Sequence, residues 1–196
     1  MSRPARYGAT RGVDLEAALR LREELVRACP RALRPHVHLS TAAQALLVDL
    51  HIWDEVRLET ADEDKALAEL ERLDLAQGLA EDDGAPVVRA SARGGELMVE
   101  VGVSAMLARL RRSLSGPAQR SQASFDALDS SDRAFFAQAV IQGLSRGRLP
   151  DGEPITDRDL RLALSFFRLR GDRGRVRRLQ AELRERRALA EREARG

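Results

Sequence analysis

Gly143-Leu144-Ser145-Arg146-Gly147 matches the G-x-S-x-G pattern of a serine nucleophile. That chemistry needs the serine on a sharp turn between strand and helix, raised at the edge of a parallel sheet. Here the five residues close an amphipathic stretch, with Phe136, Val140, Ile141 and Leu144 on one face. No succession of parallel strands accompanies it, so Gly147 reads as a helix C-cap and no catalytic residue is assigned. The histidines are His36, His38 and His51, with Asp49, Asp54 and Glu55 close in sequence. His-x-His with a later His supplies zinc-ligand types, but hydrolases of that kind draw ligands from several strands, so neither a metal nor a cofactor is assigned. Cys29, the single cysteine, sits before Pro30 as a small buried thiol and makes no intrachain disulfide, which suits a reducing cytoplasm. Glu81, Asp82 and Asp83 before Gly84 lack the alternation of an EF-hand loop and read as a solvated turn.

Arginine is the remaining chemical signal. Of 33 basic residues only Lys65 is lysine. GC-rich coding alone produces such an excess, so placement carries more information than number. Residues 1–36 hold 8 basic and 4 acidic side chains, 37–104 hold 5 and 15, 105–139 hold 5 and 3, and 140–196 hold 15 and 9. An acidic middle thus lies between basic ends, an asymmetry that steers partners or pairs subunits. Residues 173–196 alone carry 9 arginines against 4 glutamates. The guanidinium fork matches phosphate oxygens bidentately. Arg109, Arg111, Arg112, Arg175, Arg177, Arg178, Arg184, Arg186 and Arg187 are therefore the candidate phosphate contacts. In the competing view, Arg178–Glu182 and Arg187–Glu191 pair locally along a solvated or dimerising helix.

The elements that must position these residues follow from spacing. Residues 1–13 read as a flexible basic arm. Asp14 caps a helix whose face runs Leu15, Ala18, Leu19, Leu25, Val26 and Cys29, interrupted by Arg22 and stopped at Pro30. A second helix opens near Ser40–Thr41, with Gln44 at capping-box spacing, and a third opens at Thr60 with Glu63. Val87 to Val103 reads as a hairpin turning at Gly94-Gly95, a pair suited to the positive φ of a type I′ turn. In that register Val88, Ala90 and Ala92 face Val101, Val99 and Leu97, while Arg89 meets Glu100 and Arg93 meets Glu96. A helix over about 104–114 follows, then a polar linker at 115–125. Asp129 or Ser131 caps the next helix, and Thr156 caps one carrying Leu160, Ala163, Leu164 and Phe167. Arg173 to Arg195 is the last. Phe135-Phe136 and Phe166-Phe167 place adjacent rings about 100° apart on their helices, which predicts that one ring of each pair reaches a second surface, part of it between subunits.

The sequence thus predicts a mainly α fold with one β-hairpin. Residues 14–114 form a helical domain containing the hairpin 87–103, and residues 126–196 form a C-terminal helical region. The order of helix 41–50, helix 61–73, turn and two antiparallel strands resembles a winged helix, with Leu67, Leu70, Leu73 and Leu75 as its buried stripe. The presumed recognition helix is acidic: Asp62, Glu63, Asp64, Glu69 and Glu71 outnumber Lys65 and Arg72. Phosphates repel such a helix, so this domain is expected to bind protein or its own twin, and nucleic acid falls to the arginines. The function expected is a non-enzymatic, DNA-binding or regulatory nucleic-acid-associated protein that also self-associates. The alternative is a helical adaptor or assembly subunit that binds only protein. No membrane contact and no small-molecule substrate are expected, and the location expected is cytoplasmic.

Overall fold

The computed structural model describes residues 15–53, 55–79 and 87–195. The expected basic arm 1–13 lies outside the described residues. The fold is mainly helical, with a three-stranded antiparallel sheet. Two compact units, residues 1–105 and 106–196, divide the chain.

In the first unit the order is α1 (Leu15–Leu33), α2 (Thr41–Trp53), β1 (Glu55–Arg57), α3 (Ala61–Arg72), β2 (Ala76–Gly78), β3 (Val87–Ala90) and the first part of α4 (Ala92–Ser113). The core joins Leu25, Cys29 and Leu33 of α1 to Leu46, Leu47 and Leu50 of α2, with Leu70, Val88, Met98 and Val101 from later elements. Pro30 does not stop α1, which continues to Leu33. Proline forfeits one backbone bond, and the burial of Cys29 and Leu33 on either side of it holds the last turn. Burial pushes the Cys29 thiol up to about 12, so it carries no thiolate at neutral pH. Arg22, the polar interruption of the α1 stripe, forks onto the buried Asp49 of α2, with Nε 2.5 Å from Oδ1 and Nη2 3.0 Å from Oδ2.

The expected hairpin at 87–103 is not formed. β3 ends at Ala90, and the chain from Ala92 onward is helix. β3 instead lies at the centre of the sheet, between β1 (Glu55↔Arg89, Val56↔Val88) and β2 (Ala76↔Ala90, Gly78↔Val88). Arg89 consequently pairs with Glu55 at 3.4 Å, and Glu100, its expected partner, meets His36 at 2.7 Å. Leu97, Met98, Val101 and Ala105 are buried while Val99 faces solvent, which is helical and not alternating burial. Gly94 serves approach and not a turn: a Cβ there would stand 2.1 Å from the Leu75 carbonyl oxygen. Ser91 caps the helix, accepting from the Gly94 N–H at 3.0 Å while donating to the Asp74 carbonyl at 2.6 Å.

The second unit holds the end of α4, then α5 (Ala118–Ala127), α6 (Ser130–Gly143), a 3₁₀ turn (Leu144–Arg146), α7 (Asp157–Leu169) and α8 (Arg173–Glu193). The stretch expected as a linker at 115–125 is therefore helical from Ala118 on. Ser121, one of the polar residues that suggested a linker, is buried and donates to the Leu114 carbonyl at 2.8 Å. Asp129 caps α6, and its carboxyl lies below the usual carboxylate range because the Asp132 N–H, then the Ser131 hydroxyl, donate to it. Phe125 and Phe136 meet edge to face at 5.9 Å in the core. Phe136, Phe166 and Phe167 are buried within the chain and Phe135 is half-buried. Among the described residues no helix is long and apolar enough to cross a membrane.

Candidate nucleic-acid interface

α7 and α8 run antiparallel. Gly171, at φ 70°, makes the left-handed turn between them. Arg175, early in α8, lies over the ring of Phe167 late in α7, at 5.2 Å. At the other end Arg186 donates to the Ile155 carbonyl at 2.6 Å and stands 3.7 Å from Asp157. The apolar seam that docks α8 is short, with Leu179 buried and Val176 and Leu183 half-buried. Beyond Leu183 only Arg186 is even half-buried, so the last two turns stand in solvent.

The nine candidate arginines separate by what they touch. Arg111 stands 3.5 Å from both Glu153 and the buried Asp159, with its side chain 17% exposed. Asp159 itself closes the capping box of α7 with Thr156. Arg111 therefore offsets a buried carboxylate and is withdrawn from phosphate contact. Arg186 is committed in the same way to Glu182, at 2.7 Å, and to the residues that open α7. That contact also corrects the expected Arg178–Glu182 pair. Arg109 reaches Asp132 at 3.4 Å, and Arg175 is held by Asp172 at 2.6 Å. Asp172 is the N-cap of α8, and donation from the Arg175 N–H holds its carboxyl below the ordinary range. Arg112 and Arg178 are exposed and make no ion pair among the described residues. The expected Arg187–Glu191 pair is present at 3.1 Å on the surface, where such a contact contributes about 0.3–0.5 kcal/mol.

What remains is ordered by the helix. At about 100° per residue, Arg173, Arg177, Gln180, Arg184 and Arg187 fall within one narrow face of α8, three or four residues apart and spanning about 21 Å. No carboxylate lies within that run; Glu182 and Glu185 point to the other side of the helix and Glu191 follows it. Arg177 and Arg184 each lay Nε back toward a carbonyl one turn earlier, of Arg173 at 3.4 Å and of Gln180 at 3.3 Å. On α7 a second row, Arg158, Arg161 and Arg168, recurs at intervals of three and seven and so shares a face. A cavity of about 510 Å³ between the helices is lined by Arg161, Arg184, Arg186 and Arg187, with Asp157 its one carboxylate and Leu183 in its apolar wall. The sequence reading missed Arg158, Arg161, Arg168 and Arg173. The first three sit on the polar side of a helix whose apolar stripe drew the attention, and projecting its charged residues at 100° would have found them.

The chemical capability of this surface is anion binding by exposed guanidinium groups, of which Arg187 also meets Glu191. The nucleophile pattern at 143–147 has a different cause. A Cβ on Gly143 would stand 2.2 Å from the Arg148 carbonyl oxygen, and Gly147 is left-handed at φ 64°. Ser145 lies in the 3₁₀ turn that follows α6, not on a strand-to-helix elbow. Among the described residues no three His, Cys, Asp or Glu side chains gather as a metal site. No protein-family model, curated protein or solved structure matches the chain.

Proposed function

We propose that this chain is a non-enzymatic nucleic-acid-binding protein that grips backbone phosphates along α8. The observation that carries the reading is the row Arg173, Arg177, Arg184 and Arg187, exposed, on one helix face, with only Gln180 between them. Phosphate contact displaces condensed counterions, so affinity should fall steeply with salt. The test is an anisotropy titration of the full chain with labelled DNA at about 50 and about 200 mM salt. Reversal of three charges, Arg173→Glu with Arg177→Glu and Arg184→Glu, is expected to weaken binding at least about a hundredfold while circular dichroism is unchanged. Binding unaffected by the triple reversal would sink the proposal.

In the same reading the first unit is winged-helix-like. Its support is the strand order β1-β3-β2 with α3 immediately before β2. α3 would be a helix that supports and does not read bases, because Glu63, Glu69 and Glu71 all accept backbone N–H groups, from Thr60, Ser40 and Gly78. The rival reading, a protein-binding adaptor, is favoured by Leu15, Leu19 and Leu21, which α1 leaves 62%, 45% and 46% exposed. An adaptor would bind no DNA at either salt concentration. Self-association in this reading would use the exposed face of α1 at Leu15 and Leu19.

A further inference from the structure

We infer that the arginine row is matched to a duplex and not to a single strand; this rests on the phosphate-binding reading above. Single strands are held chiefly by bases stacking on exposed rings. Among the described residues no Trp or Phe ring is exposed. Trp53, Phe125, Phe136, Phe166 and Phe167 are buried and Phe135 is half-buried, while Tyr7 lies outside the described residues. The two rings nearest the basic surface are also covered by the protein's own cations: Arg170 lies over Phe166 at 5.0 Å and Arg175 over Phe167 at 5.2 Å. A base would have to displace a guanidinium to reach either π face.

What the surface does offer is a row of charge. Along α8 the guanidinium-bearing positions stand about 6, 10.5 and 4.5 Å apart, with Gln180 in the widest gap. A duplex carries one phosphate charge per about 1.7 Å of its axis and a single strand about half that density. A fixed helix with no stacking partner therefore gains most from the duplex. Gln180 is the one amide in the row, and the arginines beside it can fork onto guanine as well as onto phosphate. Its neighbours Arg177 and Arg184 have Nε turned back to the helix, which leaves the outer nitrogens for phosphate oxygens.

The experiment compares the full chain on a duplex of roughly three helical turns, a second duplex of unrelated sequence, and the single strand of the first. Four phosphate contacts predict a slope of log K against log salt near about −3.6 on duplex. Duplex binding at least about tenfold tighter than single-strand binding, on both duplexes, is the expected result. Equal or tighter binding to the single strand overturns this inference while leaving phosphate contact standing. No binding to any of the three at about 50 mM salt overturns the phosphate reading itself. Vesicles containing phosphatidylserine are added in competition; displacement of the duplex by them would overturn the inference in favour of a membrane surface.

Discussion

α3 and α8 are both strongly charged helices, yet they spend their charge differently. On α3 the acids are structural. Glu63 closes a capping box with Thr60, Glu69 accepts the Ser40 N–H at 2.9 Å and its hydroxyl at 2.6 Å, and Glu71 accepts the Gly78 N–H at 3.1 Å. On α8 the row Arg173, Arg177, Arg184 and Arg187 holds only carbonyls of its own helix and one surface glutamate. Net charge by segment treats the two alike. The hydrogen bonds separate charge that builds the fold from charge left for a partner.

The comparison is sharpened first by stability. Arg22→Leu leaves the buried Asp49 carboxylate without its fork and is expected to lower unfolding free energy by about 3 kcal/mol in urea denaturation. Arg177→Leu, on α8, is expected to stay within about 0.5 kcal/mol of the parent. A cost on α8 as large as that at Arg22 would break the distinction. Next in size is a pair of neighbouring glycines. Gly94→Ala drives a Cβ against the Leu75 carbonyl and should cost about 2 kcal/mol, whereas Gly95→Ala meets open space inside a helix and should stabilise by about 0.5–1 kcal/mol. Equal destabilisation at both positions would restore the hairpin. Glu69→Ala removes the acceptor for Ser40 and should cost about 1 kcal/mol, read as a lowered melting temperature.

The smallest effect expected is on acid stability. Asp129 and Asp172 titrate below their ordinary values because backbone N–H groups donate to them. A lowered folded-state value means their contribution is complete above the ordinary carboxylate range. It is lost as pH falls through the folded values. Asp172→Ala should therefore flatten the acid limb of the stability curve, read by urea denaturation at a series of pH values.

The helices were the legible part of the sequence because their signals are local. The Thr60–Glu63 box, the Asp129 cap and the Thr156 cap all stand where spacing placed them. The hairpin was misread because Leu97, Val99 and Val101 satisfy a period of two over five residues as well as they satisfy a helix. Only the tertiary approach of Leu75 to Gly94, and the pairing of β3 on both edges, decide the matter, and neither is written in neighbouring residues. The linker failed for a similar reason, since Ser121 is polar in sequence yet spends its hydroxyl on the Leu114 carbonyl inside the unit. The α8 arginines were found by density. Which candidate arginines are committed, as Arg111 of α4 and Arg186 of α8 are, depends on Asp159, Ile155 and Asp157, which lie 25 or more residues away in sequence.

The last two turns of α8 contribute nothing to the buried core, because Leu179 is the deepest anchor of that helix and Leu189 remains 50% exposed. A trypsin-like protease should therefore trim the chain stepwise from its C-terminus, at Arg195, Arg192 and Arg187, before it opens the body. A cut after Arg187 releases Glu191 and Glu193 and retains the whole arginine row. The clipped form loses two negative charges against two positive ones, and it frees Arg187 from its glutamate. Proteolysis at that point would leave a shorter protein whose arginine row is intact.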